Sequence, residues 1–528
     1  MLCVSLMPET TDRAREGLIR AAQAAEPSGR ADRVLAEIRL DAMREFDLAR
    51  LLADSPCPVI VTYRPRREGG LYDGPEGKRL ETLRQAARLG ARYIDVEHDA
   101  LRSLGDVPPD RVIVSYHNFE RTPEDLAAIH ARLAKMGAAV VKVAVTANHI
   151  LDTVPVLRLL KEATVPTIAL SMGERGILTR ILAPKFGGFL TYAAADNGGR
   201  EAGPGQVTVG EMCNLYRVGR IGPGTQVYGV IADPVGHSLS PRIHNAAFAE
   251  TGLDAVYLPL WVEGDAAEFV SGVREFGFDG YSVTIPHKQG VMRAMDEIDP
   301  LARRIGAMNT VQRRTDGSLF GTNTDITAGI AAIEAVVGKG WLKGKRALMI
   351  GAGGVGRAMA FGLADAGADL TITDIDPKRA EALADELRAA SSLSSRAQRS
   401  GVEGSRLAPL ATAKPEGRRR VAVPSAFRVL PVPSKEPFGP SSELILNCSP
   451  VGMHPNVDAS PIPKECLRKD MVVYDAVYNP AETRLLREAR EAGCRTVAGI
   501  DHFIRQAVEL FELWTGQSAP VDTMRRVL

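Results

Sequence analysis

Residues 346–367 read RALMIGAGGVGRAMAFGLADAG, and this stretch decides the fold of the second half of the chain. An apolar strand runs directly into four closely spaced glycines and then into a helix-forming segment, and LTITDID at 370–376 predicts the next strand. Glycines at such a turn let the backbone approach a pyrophosphate, which lies at the positive end of the following helix. The stretch predicts a dinucleotide-binding Rossmann domain, with cofactor contacts from Gly351, Gly353, Gly354, Val355 and Gly356.

The first half of the chain predicts a different α/β fold. Eight apolar, strand-like runs alternate with helix-like segments, from LCVSLM at 2–7 to GGFLTY at 187–192. Strands that are apolar on both faces are typical of parallel sheets covered by helices. Eight βα units within about 215 residues predict a compact (β/α)8 barrel.

Composition narrows the class of protein. A length of 528 residues exceeds one ordinary core and predicts several domains. A net charge of +1 with 45% apolar residues argues against electrostatic binding of nucleic acid or membranes. Six cysteines without a C-x-x-C pair indicate neither disulfides nor a metal site, and favour the reducing cytoplasm. The N-terminus becomes charged too early for a signal peptide, and no apolar run is long enough to span a membrane.

Polar residues fall at the ends of the predicted barrel strands, where barrel enzymes place catalytic groups. Lys142 interrupts the apolar run AAVVKVAVTA at 138–147, and burying an unpaired ammonium there is costly. Alone, this lysine could extend its ammonium to solvent, and each of the other residues could be structural. Together they predict a polar pocket formed by Glu37, Arg39, Arg64, Glu97, His117, Lys142, Arg180 and Gln206.

This set of side chains indicates a chemistry. A desolvated lysine near other cations can attack a ketone to form an imine, which withdraws electrons from the neighbouring carbon. A histidine beside it can move protons to and from the substrate, while an arginine holds a carboxylate.

The motifs EIRLD, SYHNF, VKVAV, SMGERGILTR and GPGQ make residues 1 to about 215 resemble type I 3-dehydroquinate dehydratase. The resemblance implies that Lys142 is the Schiff-base lysine, His117 the general acid/base and Glu97 the carboxylate that helps orient His117. It also implies that the substrate is held by Glu37, Arg39, Arg64, Arg180 and Gln206. Where many relatives carry a hydroxyl residue four positions before the glutamine, this chain has Ala202.

Residues 227–528 resemble shikimate dehydrogenase through VYGVIADPVGHSLSPRIHNAAF, FDGYSVTIPHK and the ending VVYDAVYNPAETRLLREA. The resemblance implies a catalytic pair, Lys288 and Asp325, with Lys288 delivering a proton to the carbonyl oxygen as hydride arrives from a nicotinamide. The substrate would be bound by Ser238, Ser240, Thr284, Asn309, Tyr478 and Gln506.

Some of these positions have other interpretations. From the sequence alone, Ser238 and Ser240 could equally be N-caps of the helix that follows Pro241. Two positions also depart from the pattern of the family, because Ile326 follows Asp325 and NCSP places Cys448 where a threonine or alanine is common.

The segment TITDIDPKR at 371–379 bears on the choice of cofactor. Relatives that use NADP usually carry Asn-Arg-Thr at 374–376, and their arginine pairs with the 2′-phosphate. Asp374 lies 23 residues after Gly351, near the spacing at which an acidic side chain accepts from the ribose hydroxyls in NAD sites. We therefore expect NAD rather than NADP, although Lys378 and Arg379 could still bind the phosphate and the Asp residues could simply cap the helix.

The domains are predicted as follows. The barrel covers 1–218, a linker 219–226, a shikimate-binding domain 227–328 with the C-terminal helix 503–528, and the nucleotide domain 329–502. The Ser-, Arg- and Pro-rich stretch 390–440 lacks periodicity and predicts a loop insertion in the nucleotide domain. Nothing in the sequence indicates the oligomeric state.

The two resemblances imply consecutive reactions, dehydration of 3-dehydroquinate and reduction of the resulting 3-dehydroshikimate to shikimate. Two alternatives remain open. The dehydrogenase half could prefer quinate, or the chain could be a regulator that senses these metabolites without converting them. Retention of Lys142, His117, Lys288 and Asp325 argues against the regulator, as does the absence of a DNA-binding segment.

Overall fold

The structure is a computed structural model that describes residues 1–24, 34–195, 203–400, 427–429 and 442–528. The described chain divides into two compact units, unit 1 with residues 1–281 and 527–528 and unit 2 with residues 282–526. This division does not coincide with the predicted domain boundaries, which stay a prediction. Ala202 and most of the predicted insertion lie outside the described residues.

Unit 1 contains the predicted barrel, a nearly closed parallel sheet in the order β7-β6-β5-β4-β3-β2-β1-β8. Its strands are β1 Leu2–Leu6, β2 Val34–Arg39, β3 Val59–Thr62, β4 Tyr93–Glu97, β5 Val112–Asn118, β6 Val140–Thr146, β7 Thr167–Met172 and β8 Thr191–Ala194. Its helices are α1 Thr11–Ala24, α2 Leu48–Leu52, α3 Glu76–Arg88, α4 Leu126–Ala134, α5 Thr153–Glu162 and α6 Ile177–Leu182. Strand residues are buried on both faces, as parallel strands between helices and a filled interior must be.

Unit 1 continues beyond the barrel with a strand–helix–strand segment. Its elements are β9 Gln226–Ala232, α7 Ser240–Glu250, β10 Ala255–Trp261 and α8 Ala266–Gly272. Strands β9 and β10 pair in parallel, so their carboxyl ends, Ala232 and Trp261, lie side by side. The next strand, β11 Gly280–Val283, crosses the boundary between the units.

Unit 2 begins with a small group of strands and two helices and continues into the Rossmann sheet. The first part comprises β12 Glu297–Ile298, α9 Pro300–Ile305, β13 Thr310–Arg313, β14 Leu319–Thr322 and α10 Asp325–Val337. The second part comprises β15 Arg346–Ile350, α11 Gly354–Asp365, β16 Asp369–Thr373, α12 Pro377–Ser400, β17 Phe427–Val429, β18 Leu444–Asn447, β19 Val472–Asp475, α13 Arg484–Glu491, β20 Arg495–Val497, α14 Gly499–Thr515 and α15 Val521–Arg526.

The Rossmann sheet is parallel and has the order β17-β16-β15-β18-β19-β20. The order in which strands are added to the sheet reverses between β15 and β18, and such a switch point is where doubly wound sheets bind ligands. The predicted fold class is confirmed in both halves. The prediction of a loop over 390–440 is wrong at two places. Helix α12 continues to Ser400, and residues 427–429 form the edge strand β17 beside β16.

The glycine turn after β15 packs so tightly that side chains are excluded at two of its positions. Gly351 has φ +102°, and a Cβ there would lie 2.8 Å from the carbonyl carbon of Cys448. A Cβ on Gly356 would lie 2.0 Å from the carbonyl oxygen of Gly351. A Cβ on Gly353, by contrast, would meet nothing within 4 Å. The turn therefore needs glycine at 351 and 356 for packing alone.

We expect Gly356→Ala to destabilise unit 2 by about 1–3 kcal/mol, because the added methyl group forces the turn away from Gly351. Differential scanning calorimetry should show a lower unfolding temperature for the transition of unit 2 and an unchanged transition for the barrel. Gly353→Ala is the matched control and should unfold like the wild-type protein. Equal unfolding temperatures for the two variants would contradict the packing argument.

Candidate active sites

Lys142 projects from β6 into the barrel, where only 6% of the residue is exposed. Its ammonium donates to Asp95 Oδ2 at 2.8 Å, lies 3.8 Å from Glu37 Oε1 and stands 4.5 Å from the centroid of the Tyr192 ring. An ion pair and a ring face therefore offset the cost of burying the charge. The alternative in which Lys142 extends its ammonium to solvent does not occur.

Asp95 is a partner that the sequence interpretation missed. It lies two residues before Glu97 in β4, so both side chains point to the same face of the strand. Burial would raise the pKa of Asp95, but the charges of Arg64 and Lys142 hold it well below its usual range. The two-residue spacing from Glu97 is the signal that would have identified it.

Arginines hold the carboxylates of β4 in place. Arg64 donates to Glu97 Oε1 at 2.7 Å and pairs with Asp95 Oδ1 at 2.9 Å. Arg79 pairs with the other oxygen of Glu97 at 2.8 Å. Glu97 is therefore fixed between two guanidinium groups in the barrel wall.

The partner of His117 is Glu68, which corrects the prediction for Glu97. His117 Nδ1 lies 3.0 Å from Glu68 Oε2, in the short turn that follows β3. Burial raises the pKa of Glu68 to about 7, and burial together with the charges of Arg64 and Lys142 lowers the pKa of His117 well below its usual value. The predicted contact of Glu97 with His117 is wrong because Glu97 pairs with arginines instead. Glu68 follows no strand directly, so no strand-end pattern pointed to it.

The remaining predicted barrel residues surround the same cavity. Glu37 accepts hydrogen bonds from Ser5 and Thr62 at 2.9 and 2.7 Å. Arg39 pairs with Asp41 at 2.7 Å. The lining of this cavity includes Glu37, Arg39, Arg64, Glu68, His117, Lys142, Arg180 and Gln206. The structure thus brings together every predicted residue of the barrel site except Glu97, which lies behind Arg64.

Unit 2 contains a second buried lysine and carboxylate. Lys288 Nζ donates to Asp325 Oδ2 at 2.5 Å, and the two residues are 5% and 2% exposed. The other oxygen, Asp325 Oδ1, accepts from Asn309 Nδ2 at 2.8 Å and from Gln506 Nε2 at 3.0 Å. Four predicted residues that are far apart in the sequence therefore meet at one carboxylate.

The other predicted substrate residues of the second half make contacts of their own. The ring of Tyr478 stacks on Phe503 with centroids 4.4 Å apart, and burial raises the pKa of its hydroxyl. The backbone carbonyl oxygen of Thr284 accepts a hydrogen bond from the backbone N–H of His287, in the turn that leads to Lys288. In unit 1, Ser238 Oγ accepts from the backbone N–H of Ser240 at the start of α7. That contact resembles capping, and the substrate role of both serines stays a prediction.

The glycine turn has the features that a dinucleotide requires. Backbone N–H groups at the start of α11 are available to a pyrophosphate, and the turn has no side chain at Gly353 or Gly354. A Cβ on Gly354 would lie 2.9 Å from Cδ of Lys288, so the turn reaches the lysine directly. These residues fit the pyrophosphate of a nicotinamide dinucleotide, which would supply hydride chemistry if bound.

Asp374 makes structural contacts that the sequence did not indicate. Its Oδ2 accepts from the backbone N–H of Ala352 at 2.7 Å, and its Oδ1 accepts from that of Asp376 at 2.9 Å. The residue is 7% exposed. Asp374 thus fixes the glycine turn to the end of β16, whichever cofactor binds.

Within the described residues, no group of three His, Cys, Asp or Glu side chains is placed to hold a metal ion. None of their helices combines the length and the apolar character needed to cross a membrane.

Known families match both halves of the chain. The type I 3-dehydroquinase family matches residues 2–223, the shikimate dehydrogenase substrate binding domain 230–311, and the shikimate 5′-dehydrogenase C-terminal domain 499–528. A bifunctional 3-dehydroquinate dehydratase/shikimate dehydrogenase from Arabidopsis thaliana, named as chloroplastic, is 38% identical and aligns over 100% of this chain and 84% of its own length.

Relatives of the second half alone are also similar. A shikimate dehydrogenase (NADP(+)) from Methanosarcina mazei is 37% identical over 57% of this chain and 97% of its own length. A crystal structure of a shikimate dehydrogenase in complex with NADP+ is 35% identical, with a TM-score of 0.48 over 58% of this chain and 96% of that protein.

We expect the Glu68 carboxyl to make the stability of the barrel depend on pH. The pKa of this carboxyl rises from 4.5 to about 7 in the folded protein, so folding favours its protonated form. Its contribution to stability is complete below pH 4.5 and is lost as the pH rises to about 7, by at most about 3 kcal/mol. Glu68→Gln stays neutral, so the wild-type unfolding temperature should fall relative to the variant across this range.

Thermal unfolding followed by circular dichroism measures this difference. The exposed Glu174→Gln variant is the control and should follow the wild-type pH dependence. Parallel curves for Glu68→Gln and the wild-type protein would contradict the raised pKa.

Proposed function

Because this chain belongs to the family of bifunctional 3-dehydroquinate dehydratase/shikimate dehydrogenases, we propose that it catalyses both reactions in sequence. The barrel dehydrates 3-dehydroquinate to 3-dehydroshikimate, and the second half reduces that product to shikimate with a nicotinamide cofactor. The observation that carries this conclusion is the buried lysine–carboxylate pair in each half of a chain that aligns over its full length with the Arabidopsis enzyme.

In the barrel, Lys142 acts as the nucleophile. After its ammonium passes a proton on, the amine attacks the substrate ketone, and water leaves as the imine forms. His117 removes a proton from the carbon next to the imine and returns it to the departing hydroxyl, so that a second water leaves. Hydrolysis of the conjugated imine then releases 3-dehydroshikimate and restores the lysine.

The contacts around His117 and the arginines suit these roles. With Glu68 accepting from Nδ1–H, the histidine presents Nε2 to the substrate as the base. Arg39 and Arg180, on the wall of the cavity, supply guanidinium groups for the substrate carboxylate. Glu37, Arg64 and Gln206 bind hydroxyl groups of the substrate. Glu97 acts by fixing Arg64.

In unit 2, Lys288 protonates the carbonyl oxygen of 3-dehydroshikimate. A bound nicotinamide cofactor supplies the hydride. Asp325 holds the Lys288 ammonium in position, and Asn309 and Gln506 hold Asp325. A small polyol is distinguished from its analogues by many converging hydrogen bonds. We therefore propose that the ring hydroxyls and the carboxylate of 3-dehydroshikimate are bound by Ser238, Ser240, Thr284, Tyr478, Asn309 and Gln506.

We also propose that the dehydrogenase prefers NAD to NADP. Two backbone N–H groups fix the carboxylate of Asp374 at the end of β16, where its negative charge would repel a 2′-phosphate. Of the two cations that could bind the phosphate, Arg379 lies 3.7 Å from Asp376 and already shares its charge. Relatives such as the Methanosarcina mazei enzyme are named for NADP, so this preference would distinguish this chain from them.

The proposed location is the cytoplasm, because the scattered cysteines suit a reducing compartment and all six are free thiols. The name of the Arabidopsis relative places that protein in the chloroplast. Small-molecule substrates are the proposed partners.

A coupled assay tests the two activities together. Purified protein mixed with 3-dehydroquinate and NADH or NADPH should oxidise the reduced cofactor, which is followed by absorbance. Lys142→Ala should lose this oxidation at least about a thousandfold, because no imine forms, yet should oxidise the cofactor normally when 3-dehydroshikimate is added. Lys135→Ala, which changes an exposed lysine of the barrel, should keep both activities.

The outcomes separate the alternatives. A Lys142→Ala protein that still dehydrates at a near wild-type rate would refute the imine mechanism. A dehydrogenase that oxidises quinate faster than shikimate at saturating cofactor would favour the quinate alternative. Wild-type protein that binds these metabolites without converting any of them would favour the regulator.

Replacing Asp374 with asparagine tests the cofactor preference. The wild-type kcat/KM should be higher for NADH than for NADPH, and Asp374→Asn should raise the NADPH/NADH ratio about tenfold by removing the negative charge. Asp385→Asn, which changes an exposed carboxylate in α12, is the control and should leave the NADPH/NADH ratio unchanged. A wild-type enzyme that prefers NADPH, or an unchanged ratio in Asp374→Asn, would contradict the proposal.

A further inference from the structure

Arg175 connects the barrel to the β9–β10 segment within unit 1. It lies in the turn after β7, and its Nε donates to the carboxylate of Glu263. Its guanidinium carbon stands 4.4 Å from the centroid of the Trp261 ring, at the end of β10. A charge pair and a stacked ring together fix both the position and the plane of the guanidinium. We call Arg175, Glu263, Trp261 and Asp233 the Arg175 bridge.

On the barrel side, the turn that carries Arg175 supports the loop of Gln206. The backbone N–H of Gly173 donates to Pro204 O at 3.1 Å, and a Cβ on Gly205 would lie 2.5 Å from the carbonyl carbon of Gly173. Arg180 donates to the same Pro204 oxygen at 3.2 Å. The turn before Arg175 therefore contacts Pro204 and Gly205, which precede Gln206 in the chain, and it shares the Pro204 oxygen with Arg180.

On the other side, the bridge ends at the loop that carries the two serines. Trp261 Nε1 donates to Asp233 Oδ1 at 3.0 Å. Asp233 follows β9 and opens the loop to Ser238, whose backbone N–H donates to Val235 O at 3.0 Å. The indole N–H thus hydrogen-bonds to the carboxylate of Asp233, which is the first residue of the serine loop.

A barrel histidine also contacts Glu263, which follows the end of β10. His149 Nε2 lies 3.0 Å from the carbonyl oxygen of Glu263, so backbone and side chain of Glu263 both contact the barrel. Removal of Arg175 would leave the Glu263 carboxylate unpaired and the face of Trp261 uncovered. The indole could then rotate away from Asp233, and the serine loop would lose its link to the barrel.

We infer that Arg175 is a positioning residue for the dehydrogenase, although it lies in a dehydratase motif. It acts through Trp261 and Asp233 to hold the serine loop in the geometry that binds 3-dehydroshikimate. This inference rests on the proposed function, because it requires Ser238 and Ser240 to contact that substrate. Its consequence is that a residue of one active-site turn sets the substrate affinity of the other activity.

The test compares three variants of the full-length protein in the dehydrogenase reaction with 3-dehydroshikimate at saturating reduced cofactor. Arg175→Ala removes the centre of the bridge, and Trp261→Phe keeps a ring beneath Arg175 but removes the proton donated to Asp233. Arg158→Ala is the matched control, since Arg158 pairs with Glu275 between the same two parts of unit 1 and touches neither loop.

We expect Arg175→Ala and Trp261→Phe to raise the KM for 3-dehydroshikimate at least about fivefold, the lower end of coupling between sites. Their kcat and their KM for the reduced cofactor should stay within about twofold of wild type, because Lys288 and Asp325 are untouched. Arg158→Ala should match the wild-type protein in all three constants. A dehydrogenase kcat of Trp261→Phe within about twofold of wild type shows that this variant folds.

An unchanged KM in Trp261→Phe would overturn the inference, as would equal constants for Arg175→Ala and Arg158→Ala. If Arg175→Ala does not fold, Trp261→Phe decides alone. A wild-type protein without dehydrogenase activity would instead overturn the proposed function, so the two failures are distinguishable.

Discussion

The pairing of a buried lysine with a buried carboxylate is the constraint on which both halves of this protein depend. Lys142 with Asp95 and Lys288 with Asp325 are both almost completely removed from solvent. Removing one partner of such a pair leaves an uncompensated charge and costs about 3–5 kcal/mol. Each pair is therefore surrounded by groups that satisfy the remaining oxygens, Arg64 in the barrel and Asn309 with Gln506 in unit 2.

The surroundings of each lysine suit a different reaction. Lys142 lies beside a tyrosine ring in a cavity that His117 also lines, and in the proposed mechanism it attacks a ketone. Lys288 lies against the glycine turn, its carboxylate partner is held by two amides, and in the proposed mechanism it donates a proton. The proposed function therefore gives the same residue type the role of a nucleophile in one half and of an acid in the other.

Fusion of the two activities places structural demands on residues outside either reaction. In unit 1, a turn of the dehydratase motif also contacts Trp261 at the end of β10, and the indole of Trp261 donates to Asp233, the first residue of the serine loop after β9. A substitution in that motif would then be constrained by both activities.

The sequence by itself determined the two folds and most of the residues around each site. Strand periodicity and the glycine turn are local signals, and the carboxyl ends of parallel strands converge whatever the packing details, so Lys142, His117 and Arg180 were predictable. Only the tertiary structure decided which charges pair. It placed Glu68 rather than Glu97 on His117, Asp95 on Lys142, and backbone N–H groups on Asp374. Partners of buried charges are chosen by distance across neighbouring strands and turns, and a linear pattern contains no information about that distance.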